Sequence, residues 1–320
     1  MYSLIAPLAL IVERRFGYPQ RLTDTIGHPV VWFGQLISFC ENRLNTPVRS
    51  DSQRKLAGIV ALGLLLLSVL IVTDGIRTIL SWLPFGWLFE MLLATAFLAQ
   101  KELARAVRAV SEALRGSLAD GREAVSHIVG RDPETLDEAG VARAAVETLA
   151  ESTSDGVVAP WFFLVLFGLP GIAIYKAVNT ADSMIGHLNH RYRDYGWAAA
   201  KLDDVLNWIP ARLTTVFITA ACFLVPGASP SKAWETARRD AKKHDSPNAG
   251  WPEAAFAGAL GFQLGGPRAY DGEVVDLPAF GNGKSALGAS DIMLALLLYR
   301  RTLDVLLGVS VTLALMLLLS

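Results

Sequence analysis

Residues 157–187 read VVAPWFFLVLFGLPGIAIYKAVNTADSMIGH, an apolar run that ends abruptly in polar side chains. At 3.6 residues per turn, five of those polar side chains are expected to share one helix face. They are Lys176, Asn179, Thr180, Ser183 and His187. A polar stripe on an apolar helix is costly in lipid unless it meets partners, water or a ligand. The stretch therefore predicts a membrane protein with chemistry at its membrane surface.

The composition of the 320-residue chain supports a membrane location. Hydrophobic residues make up 52% of the sequence, and charged residues are segregated into blocks between apolar runs. The formal net charge is -1, so no nucleic-acid partner is expected. Cys40 and Cys222 lie in apolar surroundings without a CxxC partner, which indicates inert buried residues.

The apolar runs predict an all-α fold: a polytopic helical membrane protein with re-entrant or broken helices and helical cytoplasmic loops. Membrane spans are expected at 56–72, 85–99 and 303–319, and the runs 157–178 and 213–225 are less simple. We interpret residues 1–320 as a single integral-membrane domain. Segments 101–156 and 228–300 are expected to be cytoplasmic parts of it.

The distribution of basic residues complicates this topology. Segment 101–155 carries seven Lys/Arg, which indicates a cytoplasmic location, and segments 191–212 and 232–268 are basic as well. A simple crossing at 157–178 would place 191–212 on the opposite side. Gly168-Leu-Pro170-Gly171 allows a re-entrant hairpin that returns to the same face, because broken helices occur where they are buried in protein or line a cavity. A single tilted and kinked span is the alternative.

Segment 101–156 is predicted to be helical and to carry an acidic face. Asp132 is expected to cap a helix that starts at Pro133. Further along, four charged residues are spaced four apart, so they would line one face: Arg143, Glu147, Glu151 and Asp155. One interpretation is an Arg–Glu surface pair with a solvated acidic edge. The other is a carboxylate cluster that holds Mg²⁺ together with substrate phosphates, favoured by its position at the membrane entry.

Two further polar segments lie beside predicted membrane entries. Asp203 and Asp204 point in different directions on a helix, so one of them at most needs to face a metal, and helix N-terminal charge is the simpler interpretation. Residues 240–250 mix both charges with turn-forming residues, as a solvated loop does, but their density of His, Lys, Asp, Ser and Asn suits phosphate and carboxylate recognition better than a simple linker. Gly265-Gly266 would let backbone approach a ligand closely.

Taken together, these segments resemble the integral-membrane adenosylcobinamide-phosphate synthase family of cobalamin biosynthesis over nearly the whole chain. The motifs that carry the resemblance are Thr23–Val30, Glu147–Gly156, Lys176–Met184, Lys201–Asp204 with Ile209–Arg212, Ser246–Gly250, and Leu264–Gly266. The resemblance implies an acid–amine ligase that uses ATP and Mg²⁺. Such an enzyme joins an aminopropanol arm, usually as its O-phosphate, to a propionate carboxylate of adenosylcobyric acid.

The resemblance and the local chemistry suggest roles for individual residues. Catalytic roles are expected for Glu147, Glu151, Asp155, Lys176 and Asp182. Metal binding is expected for Glu147, Glu151, Asp155 and Asp204. Binding of ATP or substrate is expected for His28, Asn179, Thr180, Ser183, Arg212, Lys243, Ser246, Asn248, Gly265 and Gly266.

The expected setting is the bacterial or archaeal cell (inner) membrane, with the active site on the cytoplasmic face. Expected partners are the two substrates, the lipid membrane and other membrane-bound enzymes of corrinoid assembly. Two other classes of protein stay open. Broken helices with polar stripes also occur in small-molecule transporters. An AmpE-like membrane sensor or regulator, of the kind associated with β-lactamase induction, is a distant relative of the same family.

Overall fold

The computed structural model describes residues 2–129, 133–266, 268–270, 273–275 and 278–319, and it is mainly helical, as predicted. The helices are α1 (Ile5–Phe16), α2 (Gln20–Ile26), α3 (Pro29–Leu44), α4 (Asp51–Ser81), α5 (Gly86–Thr95), α6 (Gln100–Gly116), α7 (Leu118–Ser126), α8 (Glu138–Thr153), α9 (Ala159–Ile185), α10 (Trp197–Leu206), α11 (Trp208–Ala221), α12 (Pro230–Asp240), α13 (Gly250–Leu260) and α14 (Ala289–Leu319).

Three stretches among the described residues are long and apolar enough to cross a membrane. They are α4, the continuous helical stretch Glu138–Ile185, and α14. α10 and the helical segment Trp208–Leu224 meet at an angle of 42° and would add a fourth candidate if they were one broken span. The chain is therefore a helical membrane protein with broken helices, which confirms the fold class.

α9 contains a true break at Gly168. This residue has φ 65° and ψ -153°, a left-handed conformation that glycine adopts without a Cβ penalty, and Pro170 follows two positions later. The residues before the break, Leu166 and Phe167, are 53% and 60% exposed, as expected for side chains that face lipid. The Gly-Leu-Pro-Gly signal thus marks two consecutive half-helices.

Two expectations about helices are wrong. The apolar run 85–99 does not form a span, because α5 has only 10 residues and rises about 15 Å, half of the ~30 Å hydrocarbon core. The helix that carries Glu147 starts at Glu138, and the side chain of Asp137 caps it by accepting a hydrogen bond from Gly140 N. Pro133 therefore lies before the helix, and Asp132 lies outside the described residues.

The chain divides into two compact units. Unit 1 comprises residues 1–99, 159–207 and 310–320, and unit 2 comprises residues 100–158 and 208–309. The interpretation of 1–320 as one integral-membrane domain stays a prediction.

Unit 1 is built around α4 and α9, with α3 and α10 packed against both. Close backbone contacts hold the segment before α10 in place. A Cβ on Gly58 of α4 would lie 1.8 Å from the carbonyl oxygen of Tyr195, and a Cβ on Gly196 would lie 1.6 Å from that of Ile185. Only glycine allows these contacts, so the chain after α9 is seated directly on the start of α4.

Unit 2 contains the helices α6 to α8 and α11 to α13. Small side chains let α13 pack closely, since Ala254, Ala255 and Ala257 are almost fully buried. This unit also contains short antiparallel strands, a small departure from a purely helical fold. β1 (Leu264–Gly265) pairs with β4 (Ala279–Phe280), and β2 (Arg268–Tyr270) pairs with β3 (Glu273–Val275).

Candidate functional site

The polar stripe on α9 is ordered by hydrogen bonds within its own helix. Lys176 Nζ donates to Asn179 Oδ1 at 2.9 Å. The hydroxyls of Thr180 and Ser183 donate to the carbonyl oxygens of Lys176 and Asn179, four residues earlier. α9 ends at Ile185, so His187 lies beyond the helix and is exposed. The first four members of the predicted stripe therefore share the helix, and His187 does not.

His28 lies close enough to this stripe for the charge of Lys176 to change its pKa. It caps α3, where its Nδ1 accepts a hydrogen bond from Val30 N at 3.2 Å, and its ring packs edge-on against Tyr18. Burial and the positive charge of Lys176 lower the pKa of His28, and a hydrogen bond to the backbone of Ala96 opposes them only in part. The imidazole is consequently neutral at pH 7 and can donate and accept hydrogen bonds.

Of the two adjacent aspartates on α10, it is Asp203 that faces the stripe. Its Oδ2 accepts from Asn207 Nδ2 at 2.9 Å, and Asn207 Oδ1 accepts from the buried hydroxyl of Tyr175 at 2.8 Å. The side chain of Asn179 on α9 also interacts with this carboxylate, whose Oδ1 is buried. The carboxylate of Asp182 on α9 is near enough to repel its charge. These contacts hold a carboxylate oxygen beside the polar face of α9.

Asp204 has a different environment. Its Oδ2 accepts from Lys201 Nζ at 3.2 Å, and the two side chains are 28% and 63% exposed. This is a solvated ion pair between residues one helical turn apart, of the kind that contributes only ~0.2–1 kcal/mol. Metal binding by Asp204 stays a prediction.

We define the α9 cluster as His28, Lys176, Asn179, Asp182 and Asp203, all in unit 1. It combines an ammonium group, a neutral imidazole, an amide and two carboxylates around the second half of α9. Such a set can bind a ligand that carries both a phosphate and an ammonium group, and it can accept a proton.

In unit 2, the predicted acidic face on α8 begins with a structural contact to Gly265. Glu147 is 5% exposed, and its Oε1 accepts from Gly265 N at 2.6 Å. Arg143 Nη1 donates to Gly265 O at 3.2 Å. We call Arg143, Glu147 and Gly265 the glycine clamp, because the two side chains bind the backbone N–H and the carbonyl oxygen of the same glycine. Gly265 and Gly266 have φ of 70° and 88°, so this turn requires glycine.

The rest of the acidic face is more accessible. Glu151 is exposed, and Asp155 is partly buried in a π-helical turn, Ser154–Val158, that follows α8. Single π-helical turns often occur at functional sites because they redirect side chains. Among the described residues, no three His, Cys, Asp or Glu side chains are close enough together to hold a metal ion. The Mg²⁺ site expected on this face stays a prediction.

The basic loop after α12 is organised by a buried aspartate. Asp240 is 0% exposed and accepts hydrogen bonds from Arg239, Gly281 N and Lys243 Nζ, the last at 2.8 Å. Burial opposes the charge of Asp240, but these donors outweigh burial and hold its pKa well below the ordinary range. Lys243 also donates to Ala279 O at 3.3 Å. The expected phosphate-binding lysine is therefore already engaged in joining α12 to β4.

The Ser-Pro-Asn segment forms the turn that precedes α13. Ser246 Oγ accepts from the backbone N–H groups of Asn248 and Ala249. Asn248 is 5% exposed, and its Oδ1 accepts from Arg212 Nη1 at 3.0 Å. The Arg212 guanidinium also stacks on two indole rings, 4.4 Å from the centroid of Trp208 and 5.0 Å from that of Trp251. Ser246, Asn248 and Arg212 thus lie together, with defined structural contacts.

The predicted site residues consequently fall into two groups. His28, Lys176, Asn179, Thr180, Asp182, Ser183 and Asp204 belong to unit 1, and Glu147, Glu151, Asp155, Arg212, Lys243, Ser246, Asn248, Gly265 and Gly266 belong to unit 2. The sequence analysis gave Tyr175 and Asn207 no role and chose Asp204, whereas the structure places Asp203 beside the polar face of α9. The four-residue spacing of Asp203 and Asn207 is the signal that could have identified this pair.

The broken membrane helices and the clusters of ionisable groups beside them define a class: a helical membrane protein with binding or catalytic chemistry next to its spans. Residues 6–299 match the model of the CobD/Cbib protein family. The chain therefore belongs to this family of cobalamin biosynthesis proteins.

Relatives named cobalamin biosynthesis protein CobD are similar to nearly the whole chain. The Brucella anthropi protein is 49% identical over 95% of this chain and 94% of its own length. A Sinorhizobium protein is 50% identical over 90% and 91%. The Rhodobacter capsulatus protein is 44% identical over 94% of both chains. No solved structure matches this chain.

Proposed function

We propose that this protein catalyses ATP-dependent amide-bond formation between an aminopropanol arm, as its O-phosphate, and a propionate carboxylate of adenosylcobyric acid. It would thus act as an adenosylcobinamide-phosphate synthase. Membership of a cobalamin biosynthesis family supports this assignment over a transporter or an AmpE-like regulator. The observation that carries the proposal is the α9 cluster, which joins Lys176 and neutral His28 to the carboxylates Asp182 and Asp203.

The reaction needs two chemical steps, because a carboxylate does not react with an amine at neutral pH. In the first, a propionate oxygen attacks a phosphorus of ATP, and the nucleotide leaves as the acyl phosphate forms. In the second, the amine nitrogen attacks the acyl carbon and phosphate leaves. The ammonium form of the amine must lose a proton before or during this attack, so a base is required beside the nitrogen.

The α9 cluster supplies groups suited to the second step. Lys176, whose ammonium is oriented by Asn179, would bind a phosphate oxygen as a compact point charge. Asp203 would bind the substrate ammonium and accept its proton, since its carboxylate lies beside the polar face of α9. Asn207 and Tyr175 would fix the orientation of that carboxylate. Asp182 would add negative charge that favours the ammonium form on binding.

Glu151 and Asp155 fit a Mg²⁺ role better than Glu147, because the Glu147 carboxylate holds Gly265. With bound ATP, Mg²⁺ would neutralise charge on the phosphates. We place the reaction on the cytoplasmic face of the cell (inner) membrane, where ATP is available. Contact with other membrane-bound enzymes of corrinoid assembly remains part of the proposal.

The direct test uses the full-length protein purified in detergent. It is incubated with adenosylcobyric acid, aminopropanol phosphate and Mg²⁺-ATP, and the products are identified by mass spectrometry. We expect adenosylcobinamide phosphate only when ATP is present. Parallel reactions with free aminopropanol establish which amine is used. Failure to form either amide with a folded, lipid-supplemented protein would refute the assignment.

Matched lysine variants connect the activity to the α9 cluster. Lys176→Arg preserves charge but replaces a point charge with a planar fork, so we expect loss of most activity and a raised KM for aminopropanol phosphate. Lys201→Arg is the control, because Lys201 is 63% exposed and pairs with Asp204 one helical turn away. Unchanged kinetics for Lys176→Arg would mean that the stripe serves packing and not substrate binding.

A further inference from the structure

A cavity of about 680 Å³ lies within unit 1, apart from the residues proposed for catalysis. It is lined by the start of α1, the end of α4, α5, the residues before the break in α9, and the last turns of α14. Its polar groups include Ser3, Arg77, Glu90 and Ser310, and much of its wall consists of aliphatic side chains and Phe167. The cavity therefore combines charge with an apolar lining.

The charged end of the cavity is formed by Arg77 and Glu90. Arg77 Nε lies 3.8 Å from Glu90 Oε1, and their side chains are 46% and 2% exposed. The same carboxylate oxygen accepts from Leu169 N at 3.4 Å, at the start of the second half of α9. An added Cβ on Gly168 would lie 3.3 Å from this oxygen, so glycine leaves room for the carboxylate. Ionisable groups at membrane depth are functional candidates because burying them is expensive.

The position of the cavity along the helices separates it from the α9 cluster. Leu169 precedes Asn179 by ten residues, which is about 15 Å along the helix axis. Arg77 follows Asp51 by 26 residues, about 39 Å along α4. Arg49 and Lys55 flank the start of α4 and indicate that this end is cytoplasmic. The cavity consequently faces the opposite leaflet of the membrane.

The surroundings of the cavity are those of a lipid-facing surface. Leu166, Phe167 and Leu317 are 53%, 60% and 64% exposed on its rim, next to the apolar ends of α9 and α14. A ligand that fits such a site needs a zwitterionic polar group and apolar chains. A cation would meet the Glu90 carboxylate, and an anion would meet the Arg77 guanidinium, which suits phosphate recognition.

We propose that this cavity binds the headgroup of an aminophospholipid, with the primary ammonium on Glu90 and the phosphate on Arg77. The zwitterion would align head to tail with the existing ion pair, so neither charge would be left uncompensated. A primary ammonium can donate hydrogen bonds to Glu90, whereas a trimethylated choline nitrogen cannot. The location in the leaflet opposite the basic flank favours a lipid over a soluble zwitterion from the cytoplasm.

Native mass spectrometry of the detergent-purified full-length protein can test lipid selectivity. The protein is titrated with phosphatidylethanolamine, phosphatidylcholine and phosphatidylglycerol that carry identical acyl chains. We expect phosphatidylethanolamine to bind about tenfold more tightly than either other lipid, a difference of about 1.4 kcal/mol. Equal binding of the three lipids by the wild-type protein would overturn the proposal.

Three variants assign the selectivity to the cavity. Glu90→Gln should abolish the preference for phosphatidylethanolamine over phosphatidylcholine, and Arg77→Gln should weaken binding of all three lipids. Arg43→Gln is the control, since Arg43 stacks on Phe39 outside the cavity and its loss should change nothing. Unaltered selectivity in Glu90→Gln, with a normal melting temperature, would place the lipid elsewhere.

A competition experiment separates a lipid from a soluble ligand. O-phosphoethanolamine carries the same ammonium and phosphate but has no acyl chains. We expect it to leave bound phosphatidylethanolamine in place even at a hundredfold molar excess, because the apolar walls would contribute much of the affinity. Displacement at equal concentration would show that the cavity binds a small zwitterion and would contradict the lipid assignment.

Discussion

The Glu147 carboxylate on α8 accepts a hydrogen bond from the backbone N–H of Gly265 at 2.6 Å, although the two residues lie 118 positions apart. Arg143 holds the carbonyl oxygen of the same glycine. The first carboxylate of the acidic face is thus occupied in fixing the Gly-Gly turn. Glu151, one helical turn later, is exposed. Neighbouring members of one sequence pattern have different surroundings and should respond differently to substitution.

Glu147→Ala should destabilise unit 2. Removing the buried acceptor leaves Gly265 N without its partner, at a cost of about 1–3 kcal/mol in the free energy of unfolding. Glu151→Gln should leave the melting temperature unchanged and lower the rate of amide formation by orders of magnitude if Glu151 helps to hold Mg²⁺-ATP. Thermal unfolding and turnover of both variants provide the measurements. Full activity of Glu151→Gln would mean that Glu151 is a solvated surface residue and does not bind Mg²⁺-ATP.

Asp203→Asn and Asp204→Asn form a matched pair of adjacent charge deletions. We expect Asp203→Asn to reduce turnover by about 10²- to 10⁴-fold, the range for loss of a general base. Asp204→Asn removes an exposed ion pair worth ~0.2–1 kcal/mol and should stay near wild-type activity. The measurement is the initial rate of amide formation by each variant over a range of aminopropanol phosphate concentrations. A larger loss of turnover in Asp204→Asn than in Asp203→Asn would favour Asp204 as the functional residue, in agreement with the sequence analysis.

The titration of His28 reports whether Lys176 lies near it. Because burial and the charge of Lys176 both lower its pKa, Lys176→Gln should raise that pKa, while burial still keeps it below the ordinary value of about 6.5. Lys201→Gln should leave it unchanged. Histidine nitrogen chemical shifts followed against pH in isotope-labelled protein supply the values. If the pKa of His28 is the same in Lys176→Gln and in the wild-type protein, the two residues do not lie close together.

Asp240 should give unit 2 a pH-dependent stability. Its pKa is depressed in the folded protein, so its contribution is complete above the unfolded value of about 3.8 and is lost as the pH falls through the folded value. Asp240→Asn should cost about 1.5–3 kcal/mol at pH 7, because a neutral amide cannot replace the charge-assisted hydrogen bonds from Arg239 and Lys243, which are themselves about half exposed. The difference in melting temperature between the variant and the wild type should begin to narrow below about pH 3.8 and should narrow further as the pH falls towards the folded pKa. A difference independent of pH would argue against a charged Asp240.

Cysteine labelling tests the shared cytoplasmic face. Single cysteines at the exposed positions Ser117, Asn189 and Ser231 should all react with a membrane-impermeant reagent from the cytoplasmic side only. Native Cys40 and Cys222 are buried and give a low background. Labelling of Asn189→Cys from outside alone would mean that the broken segment crosses the membrane once.

Local patterns in the sequence determined the helical membrane fold and the break in α9. Long apolar runs must satisfy their backbone hydrogen bonds within a helix, and Gly168 and Pro170 favour an interruption because glycine adopts positive φ freely and proline lacks an N–H. The polar stripe from Lys176 to Ser183 followed from helical periodicity alone. The prediction of a membrane span at 85–99 was wrong because composition shows that a segment prefers an apolar setting but does not show how far its helix continues before a turn.

The partners of the polar side chains were decided only by the tertiary structure. Periodicity placed Arg143, Glu147 and Glu151 on one helix face, but only the return of Gly265 to α8 gave the first two a structural role. The position of Asp203 near Asp182 likewise depends on the packing of α10 against α9. The Arg77–Glu90 pair had no signal in the sequence, because its two members meet only after α4 and α5 fold back on each other.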